Sequence, residues 1–146
     1  MPTVHDSSFR SSLETRVRSL RAEQTGRWGK MSIDQMLWHV NVGLSMALGE
    51  IALPAEKAPL PRPIMKFLVL TLPWPKGAPT APAFLATGSY DFEHERTRCL
   101  DLMNRLADRP IDTVAQQHPM FGPMSGRDVS GLQAKHLDHH LRQFGA

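Results

Sequence analysis

The residues best suited to chemistry lie near the C-terminal end, in Lys135-His136-Leu137-Asp138-His139-His140-Leu141-Arg142-Gln143-Phe144. Three of the seven histidines fall within five residues there. A helix turns through about 100° per residue, so His136 and His140 share one face, one turn apart. Two imidazoles so spaced can bind one divalent metal ion. On a helical wheel the pair sits about 40° apart, near the middle of an apolar arc with Val129, Leu132, Gln133, Leu137, Leu141 and Phe144. His139 lies about 60° from His136, at the edge of that arc. Imidazoles inside an apolar stripe need partners, because a buried unpaired polar group costs about 1–3 kcal/mol. A shared metal would serve both, and so would separate hydrogen bonds to carbonyls or waters.

His39 bears on that choice. It follows Met36 by three and precedes Gly43 by four, so it faces the core or its border. If its helix packs on the last one, three histidines meet. Three protein ligands with one open position is the pattern of a catalytic metal site, not a closed structural one. His118, in the loop His118-Pro119-Met120-Phe121-Gly122-Pro123, is a candidate fourth ligand or acid–base group; a plain loop or cap contact is the alternative. Gln35 and Gln143 are candidates to hold a ligand's second nitrogen or a metal-bound water, against a reading of both as solvated. No carboxylate is evident on the inward faces near the histidines, and Asp138 points to the opposite side of its helix. That weighs against a hydrolase whose glutamate activates a metal-bound water. His94 reads as solvated, His5 as part of a frayed tail without a role, and Cys99 as a buried structural thiol.

Helices must position these groups. Phe9, Leu13, Val17 and Leu20 recur at helical spacing and predict a helix over 6–22, with Asp6 or Ser7 as its cap. Ser32 with Gln35 forms a capping-box pattern, followed by an apolar stripe from Ile33 to Leu48 and a stop at Gly49. Residues 54–86 hold eight of the twelve prolines, which precludes a long helix or a central strand. One short helix from Pro63 to Leu72 fits there, because proline is tolerated in a first turn. Gly88 and Ser89 are expected to open a helix over 89–107 that ends at Arg109-Pro110. Ser125 with Asp128 resembles a second capping box and starts the last helix, over 126–143. No strand is expected. Four long helices and a long crossover predict an all-α bundle.

Composition sets outer bounds. With 146 residues, 41% hydrophobic and 21% charged, one globular domain with a real core is expected. A net charge of +3, with scattered basic residues, speaks against nucleic-acid binding. Cys99 is the only cysteine, so no intramolecular disulfide forms, in keeping with a reducing compartment. The start, MPTVHDSSFR, lacks the apolar core of a signal peptide. The longest apolar run, around Phe67-Leu68-Val69-Leu70, falls short of the roughly 18 residues of a membrane span. A soluble, cytoplasmic protein is the expectation.

Met36-Leu37-Trp38-His39-Val40, His118-Pro119-Met120-Phe121-Gly122 and His136-Leu137-Asp138-His139-His140-Leu141-Arg142-Gln143-Phe144-Gly145 resemble the DinB/YfiT-like superfamily. The last two motifs are most similar to a branch known only as a domain of unknown function. The resemblance covers nearly the whole chain and is weakest through the proline-rich crossover. It implies a four-helix bundle running up-down-down-up, with a long link between its second and third helices. It also implies a divalent metal, zinc or nickel, on three histidines that map to His39, His136 and His140. His140 is preferred to His139 because it lies nearer the centre of the apolar arc. Members include thiol-dependent transferases that use low-molecular-weight thiols, and related isomerases and hydrolases; many form homodimers. A metal-dependent transferase or hydrolase acting on a small molecule is the leading expectation. A non-catalytic metal- or small-ligand sensor, acting as a dimer, is the alternative.

Overall fold

A computed structural model describes residues 1–146. Five α-helices carry the fold: α1 Ser7–Ser19, α2 Ile33–Ala47, α3 Arg62–Thr71, α4 Phe92–Asp108 and α5 Gly126–Gln143. Single 3₁₀ turns lie at Pro82–Phe84 and Ile111–Val114, and two short strands, β1 Gln116–His118 and β2 Gly122–Met124, pair antiparallel. The helix α2 packs against α4 and α5, and α1 packs against the same two. Leu13, Val17, Leu37, Leu44, Leu102, Leu106, Leu137 and Leu141 meet in one core between these four helices.

Local chemistry sets most of the boundaries. At the start of α5 the capping box is complete: Asp128 N–H donates to Ser125 Oγ at 3.1 Å, and Ser125 N–H donates to the Asp128 carboxylate at 3.0 Å. Ser32 N–H donates to Gln35 Oε1 at 3.1 Å at the start of α2. That helix ends at Gly49, whose φ of +75° suits a residue without a side chain. The helix α3, with proline in its first turn, falls within one residue of its expected bounds.

Four expectations need correction. The first helix is Ser7–Ser19, shorter than 6–22, because the chain turns extended at Leu20. The helix expected from 89 begins at Phe92, because the Asp91 carboxylate accepts His94 N–H at 2.7 Å and caps it there. Tyr90 N–H meanwhile donates to Asp34 at 2.9 Å and ties the preceding chain to α2. The hairpin was not expected at all. Its strands are three residues each, too short for an alternating pattern to register, and Pro123 sits in one of them opposite Gln117. His5 is no frayed-tail residue. Its Nε2–H donates to Arg109 O at 2.9 Å and its Nδ1 accepts from Ser130 Oγ at 2.7 Å, beside a fully buried Val4.

The segment between α2 and α4 behaves unlike the rest. No residue of α3 is buried. The helix lies on α5 and β2, with Met65, Val69 and Leu70 partly buried against the core and several polar anchors beside them. Lys135 Nζ donates to the Val69 and Leu72 carbonyls at 2.6 and 2.5 Å, near the C-terminal end of α3. Lys66 pairs with Asp128 at 2.9 Å, and Trp74 Nε1–H donates to Val69 O at 2.8 Å.

Candidate metal centre

Packing of α2 on α5 brings His39, His136 and His140 together, with one ring nitrogen from each inside a cluster no wider than 4.8 Å. The spacing on α5 works as anticipated: His136 and His140 project from adjacent turns toward the single histidine on α2. Gly43, one turn beyond His39, permits this approach. A Cβ there would stand 2.9 Å from Gln133 Oε1 and 3.2 Å from His136 Nδ1, too close to the amide oxygen without movement.

Hydrogen bonds settle which nitrogens are free. His39 Nδ1–H donates to the Phe84 carbonyl at 2.8 Å, and a carbonyl can only accept. A neutral His39 therefore presents an unprotonated Nε2. Gln143 Nε2 donates to Trp28 O at 2.8 Å, which fixes its amide so that Oε1 accepts His140 Nδ1–H at 2.7 Å. His140 thus also presents Nε2 as a lone pair. His136 Nε2 lies 2.8 Å from His39 Nε2. With His39 as acceptor, His136 must supply the one proton between them.

Burial opposes charge on all three rings. It pushes His140 down to about 3, with the facing His39 adding to the shift. It lowers His39 despite the Phe84 bond, and it takes His136 well below the usual imidazole value, helped by His39 and His140. His136 keeps part of its surface open, but onto a cavity it lines. Neutral imidazoles suit a divalent cation: His39 and His140 present lone pairs, and His136 would give up the proton it shares with His39. Zinc bonds to imidazole are about 2.0–2.1 Å, which sets nitrogens about 3.3 Å apart around a tetrahedral ion. The cluster brackets that spacing, between 2.8 Å and 4.8 Å. Two of the three second nitrogens are already held by fixed acceptors, as is usual for metal-binding histidines.

The cluster opens into a cavity of about 350 Å³. One side is α2 and α5; the other is the proline-rich segment, through Met65, Val69, Trp74 and Phe84. His118 lines the cavity but is not in the three-histidine cluster, so it is not placed as a fourth ligand. It ends β1, stacks on Phe121 with ring centroids 4.3 Å apart, and is buried. Met120 N–H donates to His118 Nδ1 at 3.1 Å, so neutral His118 carries its proton on Nε2. Burial lowers its pKa to about 4. His139 lines the cavity rim, between Trp28 and Trp74.

The remaining candidates divide. Gln143 is buried and holds His140, contrary to a solvated reading. Gln35 is spent on the α2 capping box and on the Gly88 carbonyl at 3.0 Å. Asp138 does point away, pairing with Arg16 at 2.7 Å and Arg142 at 2.9 Å. His94 is exposed, and Cys99 is buried, its pKa raised to about 12 by burial and by Glu95. Glu95 is an inward carboxylate the sequence did not reveal, but it accepts Asn41 Nδ2–H at 2.8 Å and does not line the cavity. The Phe84 carbonyl was also missed, since any residue type can supply a backbone acceptor.

The family model described as the DinB superfamily matches residues 7–144. The chain belongs to the DinB superfamily. Comparisons with curated proteins and with solved structures return no match. The superfamily, commonly metal-binding, agrees with a histidine cluster that could hold a metal ion. No helix is long and apolar enough to cross a membrane.

Proposed function

We propose that this chain is a metal-dependent enzyme in which His39, His136 and His140 hold one divalent ion, zinc or nickel. The observation that carries the reading is the convergence of three imidazole nitrogens at the wall of a cavity, with the opposite nitrogens of His39 and His140 tied to acceptors. A divalent metal so held lowers the pKa of a bound water or thiol, making a nucleophile available at neutral pH. The protein's share is orientation. Phe84 O and Gln143 Oε1 fix two rings, and His118 offers a neutral Nε2–H donor to the cavity. A thiol-dependent transferase or a hydrolase fits this equipment. The same reading makes residues 1–146 one bundle domain, its long helices α1, α2, α4 and α5 running up-down-down-up, acting as a homodimer.

Metal analysis of protein purified without a histidine tag tests the centre. Bound zinc or nickel near one per chain is expected, with a rise in Tm on adding the ion to stripped protein. No metal and no rise would sink the proposal. One observation favours a second reading, a non-catalytic sensor: no carboxylate lines the cavity to serve as a general base. Turnover of thiol and electrophile pairs that vanishes in His136→Ala supports the enzyme, whereas tight ligand binding without turnover supports the sensor.

A further inference from the structure

The three candidate ligands are not equally supported. The outer nitrogens of His39 and His140 are tied to Phe84 O and Gln143 Oε1, at 2.8 and 2.7 Å. His136 is bonded only through Nε2, to His39, and its Nδ1 has no partner. An imidazole that binds a metal through one nitrogen keeps its proton on the other, and that N–H almost always meets an acceptor. His136 therefore lacks an acceptor of the kind its two neighbours already have.

An acceptor without a donor stands beside it. Gln133 is 2% exposed, and its Oε1 is buried without a hydrogen bond. It lies three residues before His136 on α5, so the two side chains are neighbours on one face. Both atoms abut one point of α2: a Cβ at Gly43 would stand 2.9 Å from Gln133 Oε1 and 3.2 Å from His136 Nδ1. A buried amide oxygen left unpaired destabilises a fold. Gln133 lines the cavity, but this oxygen is closed off, so a molecule in the cavity cannot reach it. Its partner must come from the protein, and His136 Nδ1 is the ring nitrogen at hand. The two do not bond while His136 carries its proton on Nε2, because both atoms then only accept.

We propose that Gln133 is the positioning residue of His136: its Oε1 accepts Nδ1–H once Nε2 serves as a metal ligand. The ring changes tautomer, losing the proton on Nε2 and taking one up at Nδ1, so its charge is unchanged. The inference rests on the metal-centre reading and gives all three ligands the same support. It also makes the unpaired oxygen a destabilising feature of the stripped chain that is relieved when the ion binds.

Gln133→Met removes the oxygen and nearly keeps the shape of the side chain. Zinc affinity, measured by competition with a chelator, should fall about 10- to 100-fold. The stripped variant should melt at the parent's temperature or above it, because an unpaired oxygen is gone. A second measurement needs no variant. In the parent chain, proton–nitrogen correlation NMR locates the His136 ring proton. It should sit on Nε2 in stripped protein and on Nδ1 in zinc-loaded protein, protected there from exchange with water. That protection should be lost in zinc-loaded Gln133→Met. Unchanged zinc affinity in Gln133→Met overturns the proposal, as does a stripped variant that melts well below the parent. So does a proton that stays on Nε2 with zinc bound. A parent chain that binds no zinc overturns the metal-centre reading itself, and this inference with it.

Discussion

The two walls of the cavity are built differently. The α2–α5 wall is core: Leu37, Val40, Leu44, Leu137 and Leu141 are almost wholly buried around His39, His136 and His140. The facing wall, from α3 to Phe84, contains no buried residue, and Ile64, Phe67 and Leu72 are exposed. Yet the second wall supplies the Phe84 carbonyl that orients His39. The candidate ligands thus ride on helices fixed by full hydrophobic burial, while the facing wall is held by a few hydrogen bonds and by side chains only partly buried, among them Met65, Val69 and Trp74. Burial resists local opening far better than exposed polar anchors do, so the facing wall is the half expected to yield.

The largest test of that contrast is a core truncation. Leu44→Ala should cost about 2–5 kcal/mol of unfolding free energy in urea, since it empties a fully buried site. A cost under about 1 kcal/mol would show that the α2–α5 wall is not the rigid half. Next, Gln143→Leu removes the acceptor for His140 Nδ1–H and the donor to Trp28 O. Zinc affinity, measured by competition with a chelator, should fall about 10- to 100-fold. An unchanged affinity would mean that His140 needs no such support, or is not a ligand.

Acid provides a third test. The His118 pKa in the folded chain is about 4, below the roughly 6.5 of an unfolded imidazole. On acidification the unfolded state takes the proton first. The stability His118 contributes is therefore complete above pH 6.5 and is lost as pH falls toward 4, by up to about 1.4 kcal/mol per unit. Urea melts between about pH 7 and pH 5 should lose stability less steeply in His118→Phe than in the parent chain. Equal slopes would show that the folded chain lets His118 charge freely. The smallest effect belongs to the facing wall. Phe67→Ser, at a side chain 63% exposed, should change stability by no more than about 0.5 kcal/mol. A loss as large as that of Leu44→Ala would erase the distinction between the walls.

How much of this was legible depended on the range of the interaction. Both capping patterns, the stop at Gly49, the short proline-led α3 and the bounds of α5 follow from neighbours a few residues apart, so the sequence carried them. The helical period alone put His136 and His140 on one face and turned Asp138 away. Gln143 looked solvated, because the Trp28 carbonyl that buries it lies 115 residues away in the chain. His5 looked idle for the same reason, its partners being Arg109 and Ser130. The hairpin that sets His118 escaped notice because three-residue strands leave no period to read.

The sequence by itself determined the helices, the face each histidine occupies and membership of the DinB superfamily. Only the tertiary structure decided that His39 meets His136, that Phe84 and Gln143 hold the outer nitrogens, and that no charged side chain lines the cavity. Periodicity and capping are properties of adjacent residues, whereas a site is a property of surfaces in contact. Which lone pairs converge, and which charges are kept away, is fixed when α2, α5 and the crossover pack.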